Sequence, residues 1–143
     1  MQTVEWNKGW SFSRLSEMDK AVVVDLPHDA MLAEPRGAHC PSGVNGCWYE
    51  GHDYCYIKRF TAPESWLEQD VFWEFEGVYH NAEIWLNDVK IASWRYGYTR
   101  FFAPAGDALR AGENELKVIA RNADQPNSRW YSGAGLYRPV WLH

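Results

Sequence analysis

Short alternations of apolar and polar residues, broken repeatedly by proline and glycine, constrain most strongly how this chain folds. The 143 residues include 7 prolines and 11 glycines, and the intervals between them leave little room for a long helix. Within these intervals apolar residues recur at every second position, which is the period of a strand with one buried face. In the run 71–77, for example, Val71, Trp73 and Phe75 share one face.

Turn signals divide these runs into strands and short connections. Asn87-Asp88 separates two alternating runs, and both residue types tolerate positive φ, so the pair predicts a tight hairpin. Ala111 to Asn114 predicts a turn into a strand, Gly106 to Arg110 a short helical turn, and Ser13 to Asp19 is a weaker helix candidate. The predicted strands are 21–25, 54–61, 71–77, 81–87, 89–95, 99–103, 114–121 and 136–142.

Eight or more short strands with Gly/Pro turns predict an all-β sandwich or barrel. Residues 30–52 lack periodicity and contain Pro, Gly, Cys and His. We interpret them as a long surface loop, which is the kind of segment that usually carries function.

Composition excludes several classes of protein. The net charge of −5 argues against nucleic acid as a partner, because phosphate binding needs a basic face. No apolar run approaches the roughly 20 residues of a membrane span, so we expect no membrane partner. The first residues lack a secretory signal segment, but a mature or trimmed form would lack one too, so localisation is not fixed by this observation.

Three cysteines, Cys40, Cys47 and Cys55, have no spacing typical of a metal site. They allow at most one disulfide with one thiol left over. Reduced, mostly buried thiols are favoured over a disulfide, although the pairing stays open.

Known catalytic motifs are absent from the sequence. Glu74 and Glu76 lie about 7 Å apart on one strand face, a spacing compatible with paired carboxylates, but charges at i and i+2 are common on a solvated face. Asn114-Glu115 resembles an acid/base pair, yet its context is a turn entering a strand. We therefore predict no catalytic residue in these positions.

The histidines are also interpreted as structural. His28-Asp29 could be half of a catalytic triad, but no Ser or Cys elbow accompanies it, and a hydrogen-bonded turn is favoured. His39, His52 and His80 have no spacing typical of a zinc site. The prediction is therefore no metal and no cofactor.

Aromatic residues make up 16% of the chain. A β core rich in rings is the simpler explanation, and stacking on a ligand such as a sugar is the alternative. The segment 122–133 is the strongest candidate for stacking on a sugar. It combines amides, a hydroxyl, a guanidinium and two rings between two predicted strands. Such a mixture suits a sugar, and it equally suits a polar loop that closes the end of a sandwich.

Residues 129–142 (Arg-Trp-Tyr-Ser-Gly-Ala-Gly-Leu-Tyr-Arg-Pro-Val-Trp-Leu) resemble the end of a specific domain. This is the N-terminal sugar-binding domain of glycoside hydrolase family two, which includes β-galactosidases, β-mannosidases and β-glucuronidases. Its pattern Gly-x-Gly-Ile/Leu-Tyr-Arg-x-Val-x-Leu is quite specific. Further motifs agree in the same order, at 7–12, 26–29, 56–60, 75–78, 82–87, 97–101 and 109–116.

The resemblance implies a jelly-roll, galactose-binding-domain-like β-sandwich that spans residues 1–143 as a single sugar-binding domain. In this family an immunoglobulin-like domain and then a TIM barrel follow, and the barrel holds the acid/base and nucleophile glutamates. We therefore expect the chain to be excised from a larger glycosidase and to lack hydrolase activity alone. Family habit favours a periplasmic or exported parent protein.

The resemblance also implies candidate sugar contacts. Asn127, Ser128, Arg129 and Trp130 are the first choices, as hydrogen-bonding and stacking groups. His52 and Asp53 are the second choices. The sequence departs from the best-known branch at two positions, where Gly51 replaces a sugar-binding Asn and Ser128 replaces an Asp near the sugar and a sodium ion. These departures put the galactose contact and the sodium site in doubt.

The function predicted is a non-catalytic domain of a retaining β-glycosidase that docks on the catalytic barrel and contributes loops to carbohydrate binding. By resemblance, a β-galactosidase is the favoured parent enzyme. Its partners would be a β-galactoside-like carbohydrate and the remaining domains of the parent enzyme. A free-standing carbohydrate-binding module and a purely structural interaction domain are the alternatives.

Overall fold

A computed structural model describes residues 2–30, 52–122 and 134–143. These residues form ten strands in two antiparallel sheets with three short 3-10 helices between them. The all-β prediction is thus confirmed. The fold is a sandwich and not a barrel, because the strands divide into two separate sheets that share one buried core. No helix in the described ranges has the length and apolarity needed to cross a bilayer.

The described residues contain three 3-10 helices and ten strands. The 3-10 helices are Leu15–Lys20, Glu64–Glu68 and Gly106–Ala108. The strands are β1 Val4–Glu5, β2 Trp10–Arg14, β3 Val22–Val24, β4 Asp53–Ala62, β5 Phe72–Phe75, β6 Ala82–Leu86, β7 Val89–Trp94, β8 Phe101–Pro104, β9 Gly112–Arg121 and β10 Val140–Leu142.

The two sheets draw on strands that are distant in the sequence. The four-stranded sheet has the order β1-β10-β5-β8, and the six-stranded sheet has the order β3-β2-β4-β9-β6-β7. In the larger sheet β4 and β9 pair along their whole length, from Asp53 opposite Arg121 to Ala62 opposite Gly112. This ladder sets the long axis of the sheet and defines its two ends.

The core follows the predicted alternation. Trp73 and Phe75 on β5 face Ile84 and Leu86 on β6 across the interior, and all four are fully buried. On β9 the predicted inner face, which is Leu116, Val118 and Ala120, is fully buried as well. Strand β4 adds two buried tyrosines, Tyr54 and Tyr56, so the aromatic richness is partly a property of the core.

The predicted hairpin at Asn87-Asp88 is confirmed, since the two residues have φ values of 50° and 65° and join β6 to β7. The helical turn predicted at Gly106 to Arg110 is present as the shorter 3-10 helix Gly106–Ala108. The helix candidate Ser13 to Asp19 is corrected: Ser13 belongs to β2, and the 3-10 helix begins at Leu15.

Two strand predictions are too long at their N-terminal ends. The run 136–142 is a strand only from Val140, because Tyr137 N–H bonds back to Gly135 O at 3.0 Å and Pro139 has no N–H to give to a ladder. The run 99–103 is a strand only from Phe101, because Phe101 lies opposite Phe75, the last residue of its partner strand β5. Strands β1 and β2 were not predicted.

Candidate functional site

One end of the six-stranded sheet brings together charged side chains from three neighbouring strands. Strand β4 begins there at Asp53, β9 ends there at Arg121, and β6 begins there at Ala82. The Arg121 guanidinium binds both neighbours: Nη1 lies 3.3 Å from Asp53 Oδ2, and Nε lies 2.5 Å from Glu83 Oε2. A carboxylate–guanidinium–carboxylate bridge therefore crosses this end of the sheet.

The bridge shifts the pKa values of Glu83 and Arg121. The hydrogen bond from Arg121 is the main reason that the pKa of Glu83 is lowered, and the indole N–H of Trp85, 3.3 Å from Glu83 Oε1, acts in the same direction. The pKa of Arg121 is raised, chiefly by the same bond to Glu83. Glu83 therefore stays ionised at neutral pH and is unsuited to act as a general acid, which needs a raised pKa.

Two consecutive residues, Tyr79 and His80, anchor the backbone at this end, and a cis peptide bond joins them. Tyr79 exchanges two backbone hydrogen bonds with Gly135, at 3.0 and 2.8 Å, and the His80 carbonyl accepts one from Arg121 N–H at 2.9 Å. The same dipeptide thus holds the end of β9 and the segment that begins at Ala134.

The predicted sugar contacts divide between described and undescribed residues. His52 and Asp53 lie at this end of the sheet; the His52 ring packs edge-on against Tyr54 at 6.3 Å, and Asp53 joins the bridge to Arg121. Asn127, Ser128, Arg129 and Trp130 lie outside the described residues, and so does Gly51. Their roles stay predictions.

A surface cavity of about 330 Å³ opens beside the bridge. Lys90, Ser93 and Trp94 of β7 line it together with Arg95, and Asn81, Glu83 and Arg121 close the opposite side. The sequence analysis placed 89–95 on a strand and assigned no function to it. The signal that the sequence offers here is a pair of cations, Lys90 and Arg95, in one strand run.

Three aromatic rings at and just after the end of β7 are partly open to solvent. Trp94 is 37% exposed, and Tyr96 and Tyr98, which follow it in the chain, are 66% and 60% exposed. The Trp94 ring is held in place, because it stacks on Phe101 at 5.7 Å and donates its N–H to the Thr99 hydroxyl. A rigid, partly open indole of this kind can cover the C–H face of a ligand.

His28 and Asp29 are both hydrogen-bonded to structural neighbours. His28 Nδ1 lies 2.8 Å from the Tyr56 hydroxyl, and burial lowers the pKa of the histidine. Asp29 Oδ1 accepts a hydrogen bond from Ala134 N–H at 3.1 Å. The His28 backbone N–H also donates to the Leu136 carbonyl at 2.8 Å. Both residues therefore tie the chain after β3 to the segment that begins at Ala134.

The pair Glu74 and Glu76 is engaged in ion pairs on the outer face of the four-stranded sheet. Arg100 contacts both carboxylates, at 2.9 and 3.7 Å. Glu74 also lies 2.8 Å from His143 Nε2, and Glu76 accepts a hydrogen bond from Trp141 Nε1 at 2.7 Å. The pair is therefore a component of the sheet surface, with every carboxylate already held by a neighbour.

The residues considered for metal and thiol chemistry are placed as follows. Within the described ranges, no three His, Cys, Asp or Glu side chains converge as a metal site. His39, Cys40 and Cys47 lie outside those ranges. Cys55 is a free, buried thiol, and burial raises its pKa to about 11, so it is a poor nucleophile.

Comparison with known proteins points to one family. Residues 7–135 match the family described as glycosyl hydrolase 2 galactose-binding domain-like. Over 121 residues the chain is 40% identical to β-galactosidase BoGH2A of Bacteroides ovatus. This alignment covers 84% of this chain and 14% of that protein. It is also 28% identical to a β-glucuronidase of Bacteroides fragilis, over 99% of this chain and 20% of that protein.

Solved structures agree with the sequence comparisons. A glycosyl hydrolase family 2 member from Bacteroides cellulosilyticus superposes with a TM-score of 0.89 at 28% identity, over 99% of this chain and 20% of that one. A β-glycosidase from Bacteroides vulgatus gives the same TM-score at 27% identity, over 100% of this chain and 20% of that one. The chain thus spans about a fifth or less of the length of these relatives.

Proposed function

The chain belongs to the glycosyl hydrolase 2 galactose-binding domain-like family, and on that premise we propose that it is a non-catalytic domain of a larger retaining β-glycosidase. A β-galactosidase is the favoured parent, because the relative with 40% identity carries that name. The domain docks on the catalytic barrel of the parent and contributes residues to carbohydrate binding. The whole domain is taken to span 1–143.

One observation carries this proposal: the family match extends over residues 7–135, whereas the chain covers only 14% of the β-galactosidase relative. Cleavage by a retaining glycosidase uses two carboxyl groups about 5–5.5 Å apart, one of which needs a raised pKa. Glu74 and Glu76 are tied to Arg100, and the pKa of Glu83 is lowered. The acid/base and nucleophile are therefore assigned to the barrel of the parent protein.

The contribution to carbohydrate binding is supported by the composition of the site end. Polar groups on Asn81, Glu83 and Ser93 line the cavity at this end. Sugars are bound by polar side chains of this kind. Asn122 and Ala134, the described residues on either side of 123–133, are both fully buried. Asn127, Ser128, Arg129 and Trp130, the proposed sugar contacts, lie between these two positions in the sequence.

The decisive experiment uses the parent enzyme. Replacing Trp130 with Ala lowers kcat/KM on a β-galactoside by tenfold or more if the ring covers the sugar, since a stacking contact contributes about 1.4 kcal/mol or more. The matched control is Trp66→Ala, because Trp66 follows the opposite end of β4. Unchanged kinetics in a folded Trp130→Ala enzyme would refute the assigned contact.

The size of the natural gene product tests the assignment of the domain to a larger protein. An antibody against the domain should detect a band far above 16.6 kDa in an extract of the source organism. A band near that mass would instead favour a free-standing carbohydrate-binding module. In that case a titration of the chain with sugars, followed by tryptophan fluorescence, would decide between a binding module and a purely structural domain.

A further inference from the structure

The loop between β7 and β8 exposes two tyrosine rings, Tyr96 and Tyr98. The loop lies at the same end of the sandwich as the Arg121 bridge, because Asn81 N–H, just before β6, donates to the Arg95 carbonyl at 3.4 Å. Tyrosine is one of the residue types that are enriched where a protein surface meets another protein. The loop is therefore a candidate interaction surface.

The two exposed rings stand on a loop that is packed firmly against the domain. Tyr98 packs against the buried Tyr79 with ring centroids 5.5 Å apart, and Tyr96 packs edge-on against the last residue of β7 at 6.2 Å. Between them, the Gly97 carbonyl accepts a hydrogen bond from the Tyr137 hydroxyl, and a Cβ on Gly97 would overlap the Tyr79 ring. A surface that is ordered before it binds loses little conformational entropy on binding.

Two arginines flank the tyrosine rings. Arg95 directly precedes Tyr96, and the Arg138 guanidinium lies 5.6 Å from the centre of the Tyr137 ring. Both arginines are exposed, and neither forms an ion pair with a described residue, in contrast to Arg100, which holds two glutamates. The chain has a net charge of −5, so the loop is a local region of positive charge.

This combination of side chains favours a protein surface that carries carboxylates. Tyrosine and arginine are prominent among the residues that contribute most of the binding energy in protein interfaces. A guanidinium presents a planar fork that matches a carboxylate in a bidentate pair. The two arginines without an ion-pair partner among the described residues therefore call for acidic side chains on the partner.

The position of the loop indicates which part of a parent enzyme lies against it. The backbone of Tyr79, which supports Tyr98, pairs with Gly135, and Gly135 follows the proposed sugar contacts 127–130 closely in the sequence. A barrel that shares the sugar with those contacts has to approach this end of the sandwich. The chain covers only 14% and 20% of two of its relatives, so a parent of that length supplies ample surface for such a contact.

We propose that the β7–β8 loop docks on an acidic rim of the catalytic barrel, which buries Tyr96 and Tyr98 and pairs Arg95 and Arg138 with carboxylates. The proposal rests on the function proposed above and adds the docking residues and the chemistry of the partner surface. The kinetics of Trp130→Ala report on the sugar contact, whereas the experiment below reports on the covered surface, so the two can fail separately.

The test is hydroxyl-radical footprinting of the full-length parent enzyme without sugar, read by mass spectrometry at each tyrosine. Tyr96 and Tyr98 are 66% and 60% exposed in the domain, so uncovered rings should react within about twofold of their rates in urea. Rings in the core of an interface are desolvated, and we then expect both to react about tenfold or more slowly than in urea. The fully buried Tyr54 is the slow reference.

Charge-reversal variants of the parent enzyme link the protection to the loop. Arg95→Glu and Arg138→Glu should each raise the reaction rate at Tyr96 about threefold or more, because a new carboxylate repels an acidic rim. Arg110→Glu is the matched control, because Arg110 is an exposed cation just before the start of β9, at the opposite end of that strand. It should leave the rate at Tyr96 unchanged.

Several outcomes would overturn the proposal. Rates at Tyr96 and Tyr98 close to those in urea would show that the loop is open to solvent. Protection that disappears when the enzyme is diluted to a monomer would assign the surface to a second copy, and protection that appears only with bound galactose would assign it to the sugar. An Arg110→Glu effect as large as that of Arg95→Glu would remove the local charge pairing.

Discussion

The side-chain amide of Asn87 donates a hydrogen bond to Oδ1 of Asn114 at 2.7 Å, which joins the β6–β7 hairpin to the start of β9. Asn114 is buried, and its amide uses every bonding position it has. Its Oδ1 also accepts from Arg110 N–H, and its Nδ2 donates to the carbonyls of Arg110 and Gly112. Asn114 is thus a structural residue, and its resemblance to half of an acid/base pair has no catalytic meaning.

Replacing Asn114 with Asp should destabilise the domain strongly. The carboxylate would face two carbonyl oxygens that now receive hydrogen bonds from Nδ2, and each unsatisfied buried group costs about 1–3 kcal/mol. We expect the free energy of unfolding in urea to fall by about 2–4 kcal/mol. The control is Glu113→Gln at the exposed neighbouring position, and a comparable loss there would contradict the interpretation.

The Arg121–Glu83 ion pair should contribute measurably to stability, unlike the more exposed pair between Arg59 and Glu115 on the same sheet. The side chains of the first pair are 43% and 18% exposed, and those of the second are 74% and 30% exposed. A double-mutant cycle with Gln at each position should give a coupling of about 1 kcal/mol for the first pair and near zero for the second. Equal coupling energies would be inconsistent with this difference in burial.

Stability should fall on mild acidification because of His28. Burial lowers the pKa of His28 from its ordinary value of 6.5, so the unfolded chain binds a proton more readily than the folded one. Stability therefore rises with pH between the folded pKa and 6.5, and the contribution is lost as the pH falls through that window. The urea midpoint should drop between about pH 7 and 5, and His28→Gln should reduce that drop.

Gly135 should not tolerate a side chain. An added Cβ would lie 2.9 Å from Cζ of the buried Tyr56 ring, and the backbone φ of 75° already disfavours a non-glycine residue. Gly135→Ala should cost about 2–4 kcal/mol. Gly106→Ala measures the effect of a positive φ without a steric clash. Gly106 has a φ of 55°, but no atom lies within 4 Å of the added Cβ. That control should cost only about 1 kcal/mol.

Cys55 should resist modification in the folded protein. The residue is 1% exposed and its pKa is raised to about 11 by burial, whereas thiol reagents attack the accessible thiolate. Mass spectrometry after brief alkylation at neutral pH should find Cys55 unmodified without urea and fully modified in urea. Rapid modification of the native protein would show that the outer face of β4 is open to solvent.

Local signals in the sequence identified the long strands and the hairpin. The alternation in β9 and the Asn87-Asp88 pair act within a few residues, so the period and the turn chemistry were sufficient there. Strand β1 could not be found in this way. It consists of Val4 and Glu5 alone and exists because Leu142 and Trp141 pair with them from the far end of the chain.

The candidate site also consists of residues that are distant in the sequence, so local signals could not assemble it. Asp53 was selected by its position beside a motif, but its partner Arg121 could be identified only when β4 and β9 were seen in register. Arg95 and Lys90 were not selected, because each is an ordinary exposed cation in sequence. Their common position beside one cavity becomes visible only when β7 is seen next to β6 and the end of β9.

The position of β10 has a consequence for how the domain forms during synthesis. This last strand lies between β1 and β5 in the four-stranded sheet, and it pairs with both. On the ribosome the chain emerges from its N-terminus, so β1 and β5 are exposed before the strand that joins them has been made. The sheet can close only after Leu142 has left the exit tunnel, and until then the nascent domain offers two open strand edges to chaperones or to neighbouring chains.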